Sequence, residues 1–323
     1  MLNVNRLRLL RELATRGTIA ATAHALFLTP PAVSQQLALL EREAGVPLFE
    51  RSGRRIRLTP AGQALVEDAE RIFAEIERAE ARLDAYAQGL RGPLRTCAFP
   101  TAARALLVPA LARLRAQHPE LAVSMVDLEP EQSLPMLKAG ELDVVVTYGF
   151  DRLPERSDPG TERFWLFSEP ISIALPADHP RASGDVRVAD LADEQWIVGH
   201  DGSSFLEVVV RVCNDAGFEP HVDLHSNDYQ VILAAVQAGL GAAIVVPTAL
   251  FAEYPGVAIR EPTDVRMRRH VHAVIRRGSA ERPAIAAALA ALRSAADTLA
   301  CELRLPTPPA DPQRPGQTSA RRS

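Results

Sequence analysis

The chain has 323 residues, 47% of them hydrophobic, which is long for a single core, so we expect two or three folded domains. We expect no membrane span and no secretory signal, because apolar runs stay short and arginines interrupt the first residues; three scattered cysteines predict no disulfide framework and no metal site. Nine arginines and four glutamates give residues 1–60 a charge of +5, which leaves −9 on the rest and predicts that only the first module meets a polyanion.

Three helices are predicted at the start of the chain. The first runs from about Asn3 to Thr15, and Gly17 ends it. Thr18 caps a second, short helix, and Thr29 caps a third. Two helices joined by a tight turn, with the second free to enter a DNA groove, make a helix-turn-helix.

The third helix carries the expected DNA-reading surface. At about 100° per residue, Val33, Leu37 and Leu40 form a narrow buried stripe. The opposite face is small and, at its N-terminal end, uncharged, with amide and hydroxyl groups that can contact base edges. An ordinary amphipathic helix is the alternative interpretation. The residues expected at DNA are Thr29, Pro30, Pro31, Ser34, Gln35, Gln36 and Arg42.

Residues 46–58 predict a wing, two short strands around the turn Ser52-Gly53. Its arginines can reach phosphates or the minor groove, although a solvated hairpin is the alternative. We expect DNA contacts from Arg51, Arg54 and Arg55.

Residues 60–90 predict a long linker helix with Pro60 in its first turn. Its apolar residues alternate steps of four and three, which is a heptad seam that calls for a partner helix. A second copy of the chain is the simplest partner, and packing on the chain's own next domain is the alternative. The seam comprises Leu65, Ala69, Ile72, Ile76, Ala79, Leu83, Tyr86 and Leu90.

Residues 92–302 alternate strands and helices, which predicts an α/β domain with mostly parallel sheets. The predicted strands are 94–99, 121–128, 143–147, 171–175, 196–198, 221–224, 242–246 and 271–275; the predicted helices are 102–117, 131–139, 204–216, 229–238 and 282–300. Residues 303–323 are rich in proline and polar residues, and we expect a disordered tail there.

Ligands of open α/β sheets bind at the carboxyl ends of strands, and four such ends carry polar residues. Two of them are helix N-termini with hydroxyl caps, which favours a small carboxylate or a similarly polar metabolite. Each residue is also an ordinary helix cap. The candidates are Pro100, Thr101, Thr147, His200, Ser203 and Asn227. The basic run 266–270 precedes an alternating strand, and we interpret it as a solvated strand end or a subunit contact.

The N-terminal 62 residues resemble LysR-type transcriptional regulators at fixed spacing, and the body resembles them more loosely. The resemblance implies an α/β protein overall: an all-α winged helix-turn-helix at 1–59, a coiled-coil dimerisation helix at 60–90, and a two-lobed effector domain at 92–302 like a type 2 periplasmic binding protein. Lobe 1 would be about 92–168 plus 265–300, and lobe 2 about 169–262. The matching residues are Gly17-Thr18-Ile19, Ala23, Leu26, Pro31-Ala32-Val33-Ser34, Gln36, Leu40-Glu41, Gly45, Leu48-Phe49-Glu50-Arg51 and Leu58-Thr59-Pro60-Ala61-Gly62.

The resemblance also implies a homodimer or homotetramer on a pseudo-palindromic double-stranded operator, with Thr101, Ser203, Asn227 and, less directly, His200 around a small effector. Pro30 and Gln35 depart from the family pattern near the reading face, and Cys97 stands where a glycine is usual. We expect a cytoplasmic regulator that is not an enzyme and needs no metal or cofactor. The alternative is a solute-binding or enzymatic α/β body fused to a DNA-binding head, although none of the common catalytic motifs is present.

Overall fold

The computed structural model of the chain describes residues 1–26, 28–52, 55–86, 90–151, 153–154 and 158–305, without the side chains of residues 51, 52 and 55. The described residues form two compact units. One comprises the described part of Met1–Ala87 with Asp158–Glu162 and Arg276–Arg282, and the other holds the remaining described residues.

The N-terminal unit opens with three helices, α1 (Val4–Arg16), α2 (Ile19–Ala25) and α3 (Pro30–Ala44). Each starts where a side-chain oxygen takes a free amide proton of the first turn: Asn3 for α1, Thr18 for α2 and Thr29 for α3. Helices α1 and α3 end at Gly17 and Gly45, whose φ angles of +71° and +72° suit glycine.

The stripe predicted on α3 is confirmed. Val33, Leu37 and Leu40 are fully buried against Leu7 and Leu10 of α1. Two short antiparallel strands follow, β1 (Phe49–Ser52) and β2 (Arg55–Leu58), and pair Phe49 with Leu58. The prediction of a winged helix-turn-helix therefore matches the structure.

Helix α4 (Pro60–Tyr86) is the linker helix, and the last predicted seam turn, residues 87–89, lies outside the described residues. Its first half packs on the helix-turn-helix core through Leu65 and Ala69. Gly62 is required there, because a Cβ would overlap the carbonyl oxygen of Leu48. Farther along, Arg276 bonds to Glu77.

The second half of α4 leaves part of the predicted seam in solvent. Ile76 is 37% exposed, Leu83 69% and Tyr86 87%. Another face of the same helix is occupied, since Arg282 bonds to Asp84 at 2.8 Å. The exposed apolar residues thus form a stripe that the described part of this single chain does not cover.

Lobe 1 of the second unit is a five-stranded mixed sheet in the order β4-β3-β5-β12-β6. Strands β3, β4 and β5 run parallel, and β12 is antiparallel to β5. The strands are β3 (Gly92–Ala98), β4 (Leu121–Asp127), β5 (Val144–Phe150), β6 (Thr161–Pro170) and β12 (Arg268–Arg276). The helices are α5 (Pro100–Ala102), which continues through a π-helical turn (Ala103–Leu107) into α6 (Val108–Gln117), then α7 (Pro130–Ala139) and α10 (Pro283–Glu302).

Lobe 2 is a second five-stranded sheet in the order β11-β7-β10-β8-β9. Its core is closely packed around Trp196, which is fully buried, and the aliphatic faces of its two helices. The strands are β7 (Ser172–Pro176), β8 (Gln195–Val198), β9 (His221–His225), β10 (Ala242–Val245) and β11 (Val257–Arg260); the helices are α8 (Ser204–Asp215) and α9 (Tyr229–Gln237), with 3-10 turns at Val188–Leu191 and Pro247–Ala249.

The chain crosses between the lobes twice, from β6 to β7 and from β11 to β12. Strand β7 is antiparallel to β10, as β12 is to β5, so neither sheet is purely parallel. Strands β6 and β11 were not predicted from the sequence. Both lie at sheet edges, and the sequence held a signal for β6 in the apolar run Phe164-Trp165-Leu166-Phe167.

Among the described helices, α10 is long and apolar enough to cross a membrane by length and composition alone. Here Ile285, Leu292 and Leu299 are buried on one side of α10. Its Ser294 hydroxyl accepts a hydrogen bond from Arg113 of α6 at 3.2 Å. The helix thus packs on lobe 1 as a core helix does.

Candidate functional site

The outward face of α3 is the first candidate surface. Pro30, Pro31, Gln35 and Arg42 are exposed, and Ser34 is half-buried beside them. The Thr29 hydroxyl accepts the Ala32 amide proton, which fixes the helix entry. The amide of Gln35 is free to meet a base edge, and the adjacent prolines keep the surface small and uncharged.

Gln36 differs from these residues, because it is half-buried and its side chain is bonded within the protein. Its Oε1 accepts a hydrogen bond from Arg6 Nε of α1 at 2.9 Å. The side chain therefore ties α3 to α1, and a base contact would cost this bond. The structure brings the other α3 candidates together on one face.

The β1–β2 wing lies beside the helices, since the Ile56 amide donates to the Gly17 carbonyl at 2.9 Å. Arg57 on β2 is exposed and lies opposite Glu50. Of the predicted phosphate contacts, Arg54 and the side chains of Arg51 and Arg55 lie outside the described residues.

The second candidate surface is a cleft between the two lobes of the second unit. It encloses about 20 Å³, room for one or two water molecules, and about 330 Å³ when its open mouth is included. The sheltered part of the cleft is therefore small. The lining residues are Phe99, Pro100, Thr101, Glu129, Tyr148, Phe150, Phe205, Asn227, Tyr229 and Arg269.

A buried ion pair lies at the base of this cleft. Arg269 Nη2 is 2.7 Å from Glu169 Oε1, and both side chains are almost inaccessible to solvent. The same Nη2 donates to Thr248 Oγ1 at 2.7 Å and to Thr101 Oγ1 at 3.2 Å. Glu169 also accepts the Thr248 amide and hydroxyl protons, both at 2.9 Å. The network joins lobe 1 to lobe 2 and neutralises both charges.

Glu129 lines the cleft at the end of β4, just before α7. Tyr148 Oη donates to its Oε2 at 3.1 Å. Burial raises the pKa of Glu129 to about 7, with a smaller contribution from nearby Glu131, while the Tyr148 hydrogen bond and Arg269 act in the opposite direction. This carboxyl therefore changes its charge near neutral pH.

Glu131 makes a contact from lobe 1 to lobe 2. Its Oε1 accepts the Ser204 amide proton at 3.0 Å and the Ser204 hydroxyl proton at 2.9 Å. Ser204 is the first residue of α8, so the protein's own carboxylate lies at that helix N-terminus.

The hydroxyl cap predicted at the second-lobe helix is confirmed for α8, whereas α9 has a carboxylate cap. Ser203 caps α8 by accepting the Leu206 amide proton at 3.1 Å. The cap of α9 is Asp228, whose carboxylate accepts the Gln230 amide proton. Asn227 Oδ1 instead accepts the His200 amide proton at 3.1 Å. Carboxylates of Glu131 and Asp228 thus lie at the N-termini of α8 and α9, which disfavours an anion at these two ends, and the class of ligand stays a prediction.

Of the predicted ligand residues, the structure brings Pro100, Thr101 and Asn227 into the cleft lining. Thr147 is buried in β5 and faces away, because successive side chains alternate across a sheet; its neighbour Tyr148 lines the cleft. His200 and Ser203 are adjacent to Asn227 but do not line the enclosed space.

The charged residues of the cleft were missed from the sequence, and the interpretation of Arg269 as part of a solvated strand end is wrong. Arg269 is 2% exposed. The sequence held a signal for this, since Arg269 shares its strand face with Val271, Ala273 and Ile275, all buried. Glu129, like Pro100 and Thr101, follows the carboxyl end of a parallel strand.

Comparisons with known proteins agree with this geometry. Residues 4–63 match the family model "Bacterial regulatory helix-turn-helix protein, lysR family", and residues 87–297 match "LysR substrate binding domain". The chain is 28% identical over 281 residues to the DNA-binding transcriptional dual regulator OxyR of Escherichia coli, covering 86% of this chain and 90% of that protein.

Two solved structures extend the similarity to the fold. A Corynebacterium glutamicum OxyR C206 mutant has a TM-score of 0.58 at 26% identity, covering 94% of each chain. Full-length CbnR complexed with its target DNA has a TM-score of 0.51 at 27% identity, covering 91% of this chain and all of that one.

Proposed function

The chain belongs to the LysR family of DNA-binding transcriptional regulators, and on that premise we propose that α3 reads its operator while a small molecule in the interlobe cleft sets its activity. The observation that carries the proposal is the outward face of α3, where Gln35 is exposed while Val33 and Leu37 hold the helix to its module. Affinity comes from phosphate contacts of the wing, and base choice comes from Ser34 and Gln35.

We propose that α4 joins two copies, as the exposed stripe of Ile76, Leu83 and Tyr86 supports. Two reading heads related by a two-fold axis match a pseudo-palindromic operator. The proposed assembly is a homodimer or a homotetramer, and the homotetramer would be a pair of such dimers on a longer site.

The interlobe cleft is proposed as the effector site. Its lining comes from both lobes, so a ligand that binds there favours one degree of lobe closure over another. That shift passes through the oligomer to the spacing of the reading heads. Because Arg269 and Glu169 are already paired, we propose that the cleft binds its ligand without transforming it.

Peroxide sensing is a second candidate, since relatives of this chain include hydrogen peroxide-inducible genes activators. The two buried cysteines argue against it, and the exposed third one, Cys301, does not line the interlobe cleft. Burial raises the pKa of Cys97 to about 11 and of Cys213 to about 12, so neither supplies a thiolate at neutral pH. Reversible ligand binding is therefore the better-supported function. We also propose that the protein works in the cytoplasm, where its target DNA lies.

The direct test is a gel-shift and footprint of the full chain on the DNA upstream of its own gene. We expect protection of a site with two related halves, and retention after addition of competitor DNA of random sequence. Equal affinity for upstream and random DNA at the same salt concentration contradicts the proposal.

A further inference from the structure

Aromatic rings wall the interlobe cleft. Of the ten Phe, four Tyr and two Trp residues of the chain, five line this one space, far more than an even distribution would place there. In lobe 1 the ring centroids of Phe99 and Tyr148 lie 4.7 Å apart and those of Tyr148 and Phe150 5.6 Å apart. In lobe 2 Phe205 and Tyr229 lie 5.5 Å apart.

The faces of such rings attract cations through their quadrupole. The protein already uses two of them in this way, since the guanidinium carbon of Arg269 lies 4.9 Å from the Phe99 centroid and 5.4 Å from that of Tyr148. The cleft is thus an environment in which a positive charge is stabilised.

The charges of the cleft also favour a cation. Arg269 is paired with Glu169 at 2.7 Å, so its charge is compensated within the protein, although it still lowers the pKa of Glu129. Glu129 then remains as the acidic group of the lining, and Glu131 lies two residues along the chain. An incoming anion would meet these carboxyls, whereas an incoming cation would be paired by Glu129.

We propose that the effector of this protein is a small organic cation, an ammonium or similar group attached to an apolar or aromatic body, held by Glu129 and the rings of both lobes. The proposal rests on the function proposed above and names the ligand class of the same cleft. A desolvated cation between aromatic faces is bound more strongly than an exposed one, which gives the closed lobes their selectivity. Because the enclosed space holds one or two waters, the lobes part to admit the ligand.

Binding is expected to depend on pH through Glu129. The groups that face it are Tyr148 from β5, Glu131 from α7, Tyr229 from α9 and Arg269 from β12. Its pKa of about 7 means that raising the pH from 6 to 8 ionises the carboxylate and tightens binding of a cation. A neutral or anionic ligand would show no gain over this range.

The test uses three probes of one shape: benzylammonium, benzyl alcohol and benzoate, each titrated into the full chain by calorimetry at pH 7.5. We expect benzylammonium to bind at least tenfold more tightly than the other two. Glu129→Gln should weaken benzylammonium binding at least tenfold. Asp127→Asn removes the same charge from the exposed end of β4, outside the lining, and should leave binding unchanged.

Three results overturn the proposal: tighter binding of benzoate, equal binding of all three probes, or unchanged benzylammonium affinity in Glu129→Gln. An affinity for benzylammonium that does not rise between pH 6 and pH 8 overturns it as well. The gel-shift on upstream DNA separates these failures from a failure of the proposed function. Specific DNA binding without cation binding overturns only the ligand class, whereas loss of both contradicts the regulator itself.

Discussion

Glu131 of lobe 1 accepts two hydrogen bonds from Ser204 of lobe 2, one from its amide and one from its hydroxyl. A carboxylate at the N-terminus of α8 also faces the positive end of that helix. The two bonds therefore link the lobes beside residues that line the cleft, since Glu131 is two positions from Glu129 and Ser204 precedes Phe205. An anion that sought this helix terminus would have to displace Glu131.

Glu131→Ala should free the first turn of α8. We expect faster hydrogen–deuterium exchange of the Ser204 amide, with a cost of about 0.5–1.5 kcal/mol per hydrogen bond lost. Gln132→Ala, an exposed neighbour on α7, is the matched control. Identical exchange in the two variants would show that Glu131 does not hold the lobes.

Arg269→Met should be strongly destabilising, because it leaves Glu169 buried without its counter-charge. Removing one partner of a buried pair costs about 3–5 kcal/mol. The double variant Glu169→Gln with Arg269→Met buries no unpaired charge and should recover much of this loss, as measured by urea denaturation. If the loss in free energy of unfolding in the double variant equalled the sum of the losses in the two single variants, the two residues would act independently.

The pKa of Glu129 predicts a fall in stability between about pH 5 and pH 7. The unfolded carboxyl releases its proton near pH 4.5 and the folded one near pH 7, so the folded state holds more protons in this window. The stabilisation that comes from the higher folded-state pKa of Glu129 is fully present below pH 4.5 and is lost as the pH rises through 7. Glu129→Gln should flatten this dependence by up to about 3 kcal/mol, read from thermal unfolding at pH 5 and pH 8. If the stability of Glu129→Gln depended on pH as steeply as that of the unmodified protein, Glu129 would not be the group with the raised pKa.

Gln35→Ala should lower affinity for the specific operator by about 1–3 kcal/mol and leave random DNA unaffected, because a base contact is lost. Arg57→Ala, on the exposed wing, is the contrasting variant. It should weaken binding to both DNAs and reduce the salt slope by about one. Equal loss on both DNAs for Gln35→Ala would remove this residue from base reading.

Leu83→Lys should split the oligomer, because it places a charge in the exposed stripe of α4 in each copy. Sedimentation velocity should then show a smaller species, with weaker binding to a site of two halves. Arg82→Ala changes an exposed neighbour one position away and should not alter the assembly. A dimer that survives Leu83→Lys would place its interface elsewhere.

The helix-turn-helix could be predicted almost completely from the sequence because its signals are local. Caps at Thr18 and Thr29 and the stop at Gly17 fix the helix ends without help from distant residues. The stripe of Val33 and Leu37 sets the buried face by periodicity alone. The alternation of strands and helices likewise predicted the class of the body.

The cleft could be predicted only in part, because its chemistry depends on contacts between residues far apart in the chain. Pro100, Thr101 and Asn227 follow from the rule on strand ends. The partnership of Glu169 with Arg269 spans a hundred residues and two strands, and β6 was not predicted at all. When Glu169 is not recognised as its partner, Arg269 is interpreted as a solvated residue of the basic run 266–270. The buried residues at every second position after it, beginning with Val271, indicate the opposite.

The bare stripe on α4 also has a consequence for gene dosage. If Ile76, Leu83 and Tyr86 are covered only when two copies meet, the DNA-competent particle forms in proportion to the square of the free protein concentration at low abundance. A cell that halves its supply of this protein would then lose about three-quarters of that particle. The expression level of the protein would then regulate its DNA binding, in addition to any metabolite.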